Sequence, residues 1–152
     1  AWLFWGNTQL YHAKLKRNMV EFDGPIEKIT LPRFVEAPWV HKRGNLYYLS
    51  YAAGFPERTA YATAEKITGP WTYRGVIAEL AGNCNTNHQA IIHFKGRDYY
   101  IYHNGGLPGG DSFHRSVCVD YIDYRPDGTM KKLVPTEEGV VAVDQPRPVV
   151  AP

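Results

Sequence analysis

Cysteine is nearly absent from this sequence, with only Cys84 and Cys118 in 152 residues. Two cysteines so far apart match no zinc spacing and cannot build a disulfide framework. They read as buried thiols that pack like small hydrophobes, with a single disulfide as the alternative. An excess of charge of one sign is also lacking: 17 Lys and Arg face 15 Asp and Glu, for a formal net charge of +2. The basic residues are dispersed, with no block to follow a phosphate backbone, so no nucleic-acid partner is expected. No apolar run is long enough to cross a bilayer as a helix, and no membrane partner is expected. Apolar spacing at the helical period is nowhere sustained over several turns, which leaves little room for α-helix.

What the sequence has in quantity is aromatic and turn residues: 11 Tyr, 6 Phe, 4 Trp, 14 Gly and 11 Pro. Aromatics favour strands and offer flat faces on which sugars stack. The opening Ala1-Trp2-Leu3-Phe4-Trp5-Gly6-Asn7 reads as mid-strand, without a Met, basic leader or signal pattern before it. The chain is therefore expected to begin inside a domain.

An internal repeat organises the rest. Arg43-Gly44-Asn45-Leu46-Tyr47-Tyr48-Leu49-Ser50-Tyr51 resembles Lys95-Gly96-Arg97-Asp98-Tyr99-Tyr100-Ile101-Tyr102-His103. Each stretch follows an alternating apolar segment, Pro38-Trp39-Val40-His41 or Ala90-Ile91-Ile92-His93-Phe94, and precedes another, at 59–64 or 116–124. A degenerate copy occupies 2–5 and 9–15. Outer strands are expected at 72–77 and 130–134, and a turn at Ile67-Thr68-Gly69-Pro70.

Four short antiparallel strands recurring about every 50 residues describe a propeller blade. The expectation is an all-β partial propeller of about three four-stranded blades: a remnant at 1–31, blades at 32–80 and 81–135, and a final strand and tail at 136–152. A sandwich with two similar hairpins is the competing fold. Three blades cannot close a ring, and their free edges and faces would be exposed. The remaining blades are expected from elsewhere or from a second copy, so a homo-oligomer is expected if the chain is stable alone.

Glu36 enters an apolar, aromatic strand, Phe34-Val35-Glu36-Ala37-Pro38-Trp39-Val40. Burial there would raise its pKa and let it hold and donate a proton, as cleavage of a glycosidic bond requires. The plainer reading is a strand-end Glu bonded to a backbone amide or an Arg. His88, in Asn85-Thr86-Asn87-His88-Gln89-Ala90, occupies the place in its repeat that Glu36 holds in the one before. There it would bind a metal, polarise water or simply hydrogen-bond. Arg115 follows a glycine-rich loop, 105–112, with no Gly-Lys-Ser/Thr ending, so phosphate binding is not indicated. Arg115 reads as orienting a carboxylate such as Glu36, bonding sugar hydroxyls, or making an exposed salt bridge. Trp39, Phe55, Tyr102 and His103 are further rim candidates.

Taken in order, several segments resemble the general-acid blade and following blades of glycoside hydrolase family 43. They are Phe34-Val35-Glu36-Ala37-Pro38-Trp39, Gly44 through Tyr51, Tyr61-Ala62-Thr63-Ala64 with Gly69-Pro70-Trp71, Asn87-His88-Gln89-Ala90 and Tyr102-His103-Asn104. The resemblance runs from Leu3 to about Val140. It implies part of a five-bladed propeller that cleaves arabinofuranosyl or xylosyl linkages of plant polysaccharides with inversion. It implies Glu36 as general acid and His88 near a calcium ion in the central channel, held mainly through water. Trp39, Phe55, Gln89, His103 and Arg115 are then the expected substrate-binding residues. The general base and a second, tuning Asp would lie in blades before Ala1. Asp111 or a second chain is the alternative source of a base. Ala37 stands where the family commonly has Gly. A non-catalytic carbohydrate-binding propeller piece and a purely structural one are the competing functions.

Overall fold

The computed structural model describes residues 1–140, all of them in strands, bridges, turns or irregular segments and none in a helix. Ten strands form three antiparallel meanders. The first sheet joins β1 (Trp2–Trp5), β2 (Leu10–Lys14) and β3 (Glu27–Ile29). The second joins β4 (Phe34–Arg43), β5 (Leu46–Ala53), β6 (Arg58–Ala64) and β7 (Thr72–Ala78). The third joins β8 (Ala90–Phe94), β9 (Arg97–Asn104) and β10 (Ser116–Tyr121).

Side-chain alternation explains the stacking of the sheets. On the second sheet Tyr48 and Tyr61 point to one face and join Ile91, Tyr100, Tyr102 and Ile122 of the third. Their neighbours Leu49, Tyr51, Ala60 and Ala62 point the other way and meet Leu10, Ile29 and Leu31 around the first sheet. Successive residues of a strand face opposite sides, so β5 and β6 are buried almost throughout. A sandwich has only two sheets and one core; here a middle sheet is covered on both faces. β1 touches β4 and β4 touches β8, so the first strands of successive sheets run side by side.

Two expectations need correction. Among the described residues only the second sheet has four strands. The expected outer strand at 130–134 contributes just an isolated bridge, Tyr124 to Met130. Lys131 N–H donates to the Asp123 carbonyl just beyond β10, but Met130 N–H donates to the Tyr61 hydroxyl and Leu133 N–H to the Ile77 carbonyl of the second sheet. The segment therefore lies across the seam between the second and third sheets instead of pairing with β10. Conversely, β3 was not foreseen, because Glu-Lys-Ile is too short and too polar to show a strand period. The final strand expected within 140–152 falls, past its first residue, outside the described residues.

Candidate active site

The candidate acid Glu36 lies where β4 loses its regular pairing. The β4–β5 register shifts between Phe34 and Glu36 and again between Glu36 and Trp39. Pro38 has no N–H to give the ladder, and Ala37 sits at φ 57°, a left-handed conformation that glycine takes more readily. The irregularity presents Glu36 half-buried, and its Oε2 accepts a hydrogen bond of 3.0 Å from Asn7 Nδ2. Asn7 arrives on the β1–β2 turn, which is itself fixed by Thr8 N–H donating to the Val35 carbonyl at 2.6 Å.

Glu36 is thus less enclosed than its apolar sequence surroundings suggest. A more deeply buried carboxylate nearby is Glu57, 4% exposed, on the β5–β6 turn. Its Oε2 accepts the Asn87 N–H at 2.6 Å, while its own N–H donates to the Asn85 carbonyl at 2.9 Å. Burial pushes the Glu57 carboxyl above the ordinary carboxylate range, opposed by the Asn87 N–H. The negative charge of Glu36 adds to the rise, and the positive charges of His88 and Arg115 oppose it. Glu36, His88 and Arg115 therefore share one electrostatic neighbourhood around Glu57. Below it, Asn87 Nδ2 bonds Thr59 Oγ1, which meets the Tyr100 hydroxyl at 2.5 Å. Nothing in the sequence singled out Asn7 or Glu57. A Glu in a turn reads as solvated, and only its place against the next sheet buries it.

The other expected residues occupy distinct layers. His88 is exposed at the rim. Arg115 is exposed too, and its Nε donates to the Ser112 carbonyl at 2.6 Å; the carboxyl partner found for Glu36 is Asn7. Phe55 stands 67% exposed on the β5–β6 turn. Trp39 is 36% exposed, with its indole N–H fixed to the Ile91 carbonyl of β8 at 2.8 Å. Gln89, expected at a sugar, is 3% exposed, and its Nε2 reaches the Ala37 carbonyl and Ser50 Oγ at 2.9 and 3.2 Å. Its donor group faces the β4 irregularity.

His103 and Tyr102 are also buried. His103 Nδ1 lies 3.5 Å from Cys84 Sγ, and the Tyr102 hydroxyl donates to Asp120 at 2.8 Å. Burial, then the charges of Arg115 and His88, hold the His103 pKa below its ordinary value, so the imidazole is neutral. Both cysteines are free thiols, Cys84 buried and Cys118 half-buried.

Asp111 is a poor base. Its Oδ1 accepts the Phe113 and His114 N–H groups, and its Oδ2 meets His114 Nδ1. Those bonds hold its pKa at about 2. Among the described residues no group of three His, Cys, Asp or Glu could hold a metal ion. Calcium takes six to eight oxygen ligands, so an ion beside His88 would draw its oxygens mainly from water, as the resemblance implies. A hollow of about 430 Å³ opens beside Leu46, Thr63 and Arg74. It lies at the far end of β5 from Glu36, which pairs with Ala52, and so away from the candidate site.

The sequence model of glycosyl hydrolases family 43 matches residues 1–130. A beta-xylosidase of Xylanibacter ruminicola is 37% identical over 102 residues, which are 66% of this chain and 31% of that enzyme. Among solved structures, a calcium-free GH43 beta-xylosidase/alpha-arabinofuranosidase from a compost microbial metagenome, in complex with xylotriose, superposes with a TM-score of 0.76. It is 32% identical, with 84% of this chain and 43% of that one covered. An alpha-L-arabinofuranosidase from Clostridium thermocellum gives a TM-score of 0.75 at 33% identity, over 89% of this chain and 49% of that one. The chain thus spans about a third of the curated beta-xylosidase and less than half of these solved chains.

Proposed function

This chain belongs to glycosyl hydrolases family 43, and we propose that it forms the proton-donating side of an inverting glycosidase acting on arabinofuranosyl or xylosyl linkages. The observation that carries the reading is Glu36: a half-buried carboxyl on a first strand, bonded to Asn7, whose charge acts on Glu57 together with those of His88 and Arg115. The relatives' names, beta-xylosidase and alpha-L-arabinofuranosidase, support that substrate class. The three sheets are read as successive blades.

In this mechanism Glu36 protonates the glycosidic oxygen as the bond to the anomeric carbon breaks. A carboxylate on the opposite face of the sugar deprotonates the attacking water. That base is assigned to blades outside this chain, since the bonds of Asp111 keep it too acidic. Exposed Phe55, the partly open face of Trp39, His88 and Arg115 are the groups placed to meet the sugar chain, with His103 as a neutral wall behind them.

The test is Glu36→Gln in the complete protein. Loss of a general acid costs about 10²–10⁴-fold in rate where the leaving group needs protonation. Turnover of methyl glycosides should fall by that order, while 2,4-dinitrophenyl glycosides, which leave unaided, should be largely spared. Equal loss on both would remove Glu36 from the acid role. Sugar binding that survives Glu36→Ala, with no product from any arabinoside or xyloside, would instead indicate a binding module.

A further inference from the structure

The acid-bearing irregularity needs support, because Ala37 is held at φ 57°, a left-handed conformation that is unfavourable for an L-residue. Such a conformation persists only when the surroundings over-determine it. The ladder to β5 is interrupted on both sides of Glu36, so backbone groups here must find partners outside regular pairing. The Ala37 carbonyl finds one 52 residues away: Gln89 Nε2 at 2.9 Å, a buried bond from the segment leading into β8. The same nitrogen donates to Ser50 Oγ at 3.2 Å, bracing the amide against β5.

The segment carrying Gln89 is itself fixed. Glu57 grips it at two points, accepting from Asn87 N–H and donating its own N–H to the Asn85 carbonyl. One residue further along, Ala90 begins the ladder with β9. Gln89 is thus a fixed donor reaching back to the Ala37–Pro38 peptide, on the far side of the left-handed residue that follows the acid.

We propose that Gln89 is a positioning residue for Glu36, setting the direction of the acid's carboxyl by holding the Ala37 carbonyl. This rests on Glu36 being the general acid. Gln89 touches no substrate; it acts through the backbone at Ala37, and its loss lets the peptide rotate and the carboxyl swing away from the glycosidic oxygen.

The test compares Gln89→Met, close in length but without a donor, and Gln89→Glu, matched in shape, with Glu36→Gln in the complete protein. All are assayed on paired methyl and 2,4-dinitrophenyl xylosides and arabinofuranosides. Misplacing a reacting group by about 1 Å costs on the order of 100-fold. The expected result is a kcat loss of that order on the methyl glycosides, little change on the dinitrophenyl ones, and KM unchanged for both. Either Gln89 variant suffices if the other does not fold, as judged by its melting transition. A purely structural role would lower both substrate classes together, and that result, or no loss at all, overturns the proposal while a Glu36→Gln split still stands. If Glu36→Gln itself shows no split, the acid assignment fails and takes this proposal with it.

Discussion

His41 shows how far one residue departs from what its neighbours in sequence suggest. It lies on β4 and is enclosed, stacked on Tyr48 at 4.9 Å between ring centroids, with Nε2 2.8 Å from the Tyr124 hydroxyl. Burial lowers its pKa from 6.5 to about 4; the Asp98 charge opposes that shift and Arg43 adds to it. The folded state thus refuses a proton that the unfolded chain accepts. The stability held by neutral His41 is complete above pH 6.5 and is lost as pH falls from 6.5 toward 4. His41→Gln should flatten the decline of melting temperature across that window; an unchanged slope would show that the imidazole does not control it. Glu57 has the opposite sign. Its raised pKa means that its cost appears as pH rises past the ordinary carboxylate value, so the two groups partly offset each other in mildly acid solution.

At the scale of elements, the segment after β10 behaves as a strap. Tyr48 donates its hydroxyl to the Gly128 carbonyl at 2.7 Å, and Tyr61 accepts the Met130 N–H at 3.0 Å. Two aromatic residues of the second sheet thereby capture a segment that belongs by sequence to the third. Their rings line the shared core, where Met130 and Leu133 are buried. Removing the Tyr61 hydroxyl leaves a buried N–H without a partner, which costs about 1–3 kcal/mol. Tyr61→Phe should therefore lower the unfolding free energy by that amount in urea titrations, with the ring packing retained. A change under a few tenths of a kcal/mol would mean that the strap adds little. The ion pair of Arg58 with Glu79, by contrast, is solvent-exposed and contributes little to stability.

At the scale of the whole molecule, among the described residues, the middle sheet has both faces covered and the outer sheets do not. On the third sheet Ile92, Phe94 and Val117 are exposed, Val117 by 79%. On and beside the first, Leu3, Phe22 and Ile26 are open. Faces of this kind associate, and a family-43 ring has further blades to cover them. The isolated 152-residue chain should therefore run in analytical ultracentrifugation as a dimer or larger assembly. A monodisperse monomer would assign the covering blades to a longer polypeptide alone.

The sequence by itself determined the strands and their grouping. Alternation along 46–53, 58–64 and 97–104 and the Gly-aromatic repeat depend on local periodicity, and periodicity is visible in one dimension. It also marked Glu36, because a carboxylate between Phe34 and Trp39 is conspicuous against an apolar background. Only the tertiary structure decided which carboxylate is buried, which donor holds Ala37 and where 130–134 lies. Glu57, Asn7 and Gln89 acquire their parts from partners 29 to 52 residues away on neighbouring sheets. Such pairings depend on how the sheets stack, and no pattern along the chain records them. Gln89 is expected at the sugar only through the resemblance, and its burial against the β4 irregularity is likewise a product of the stacking.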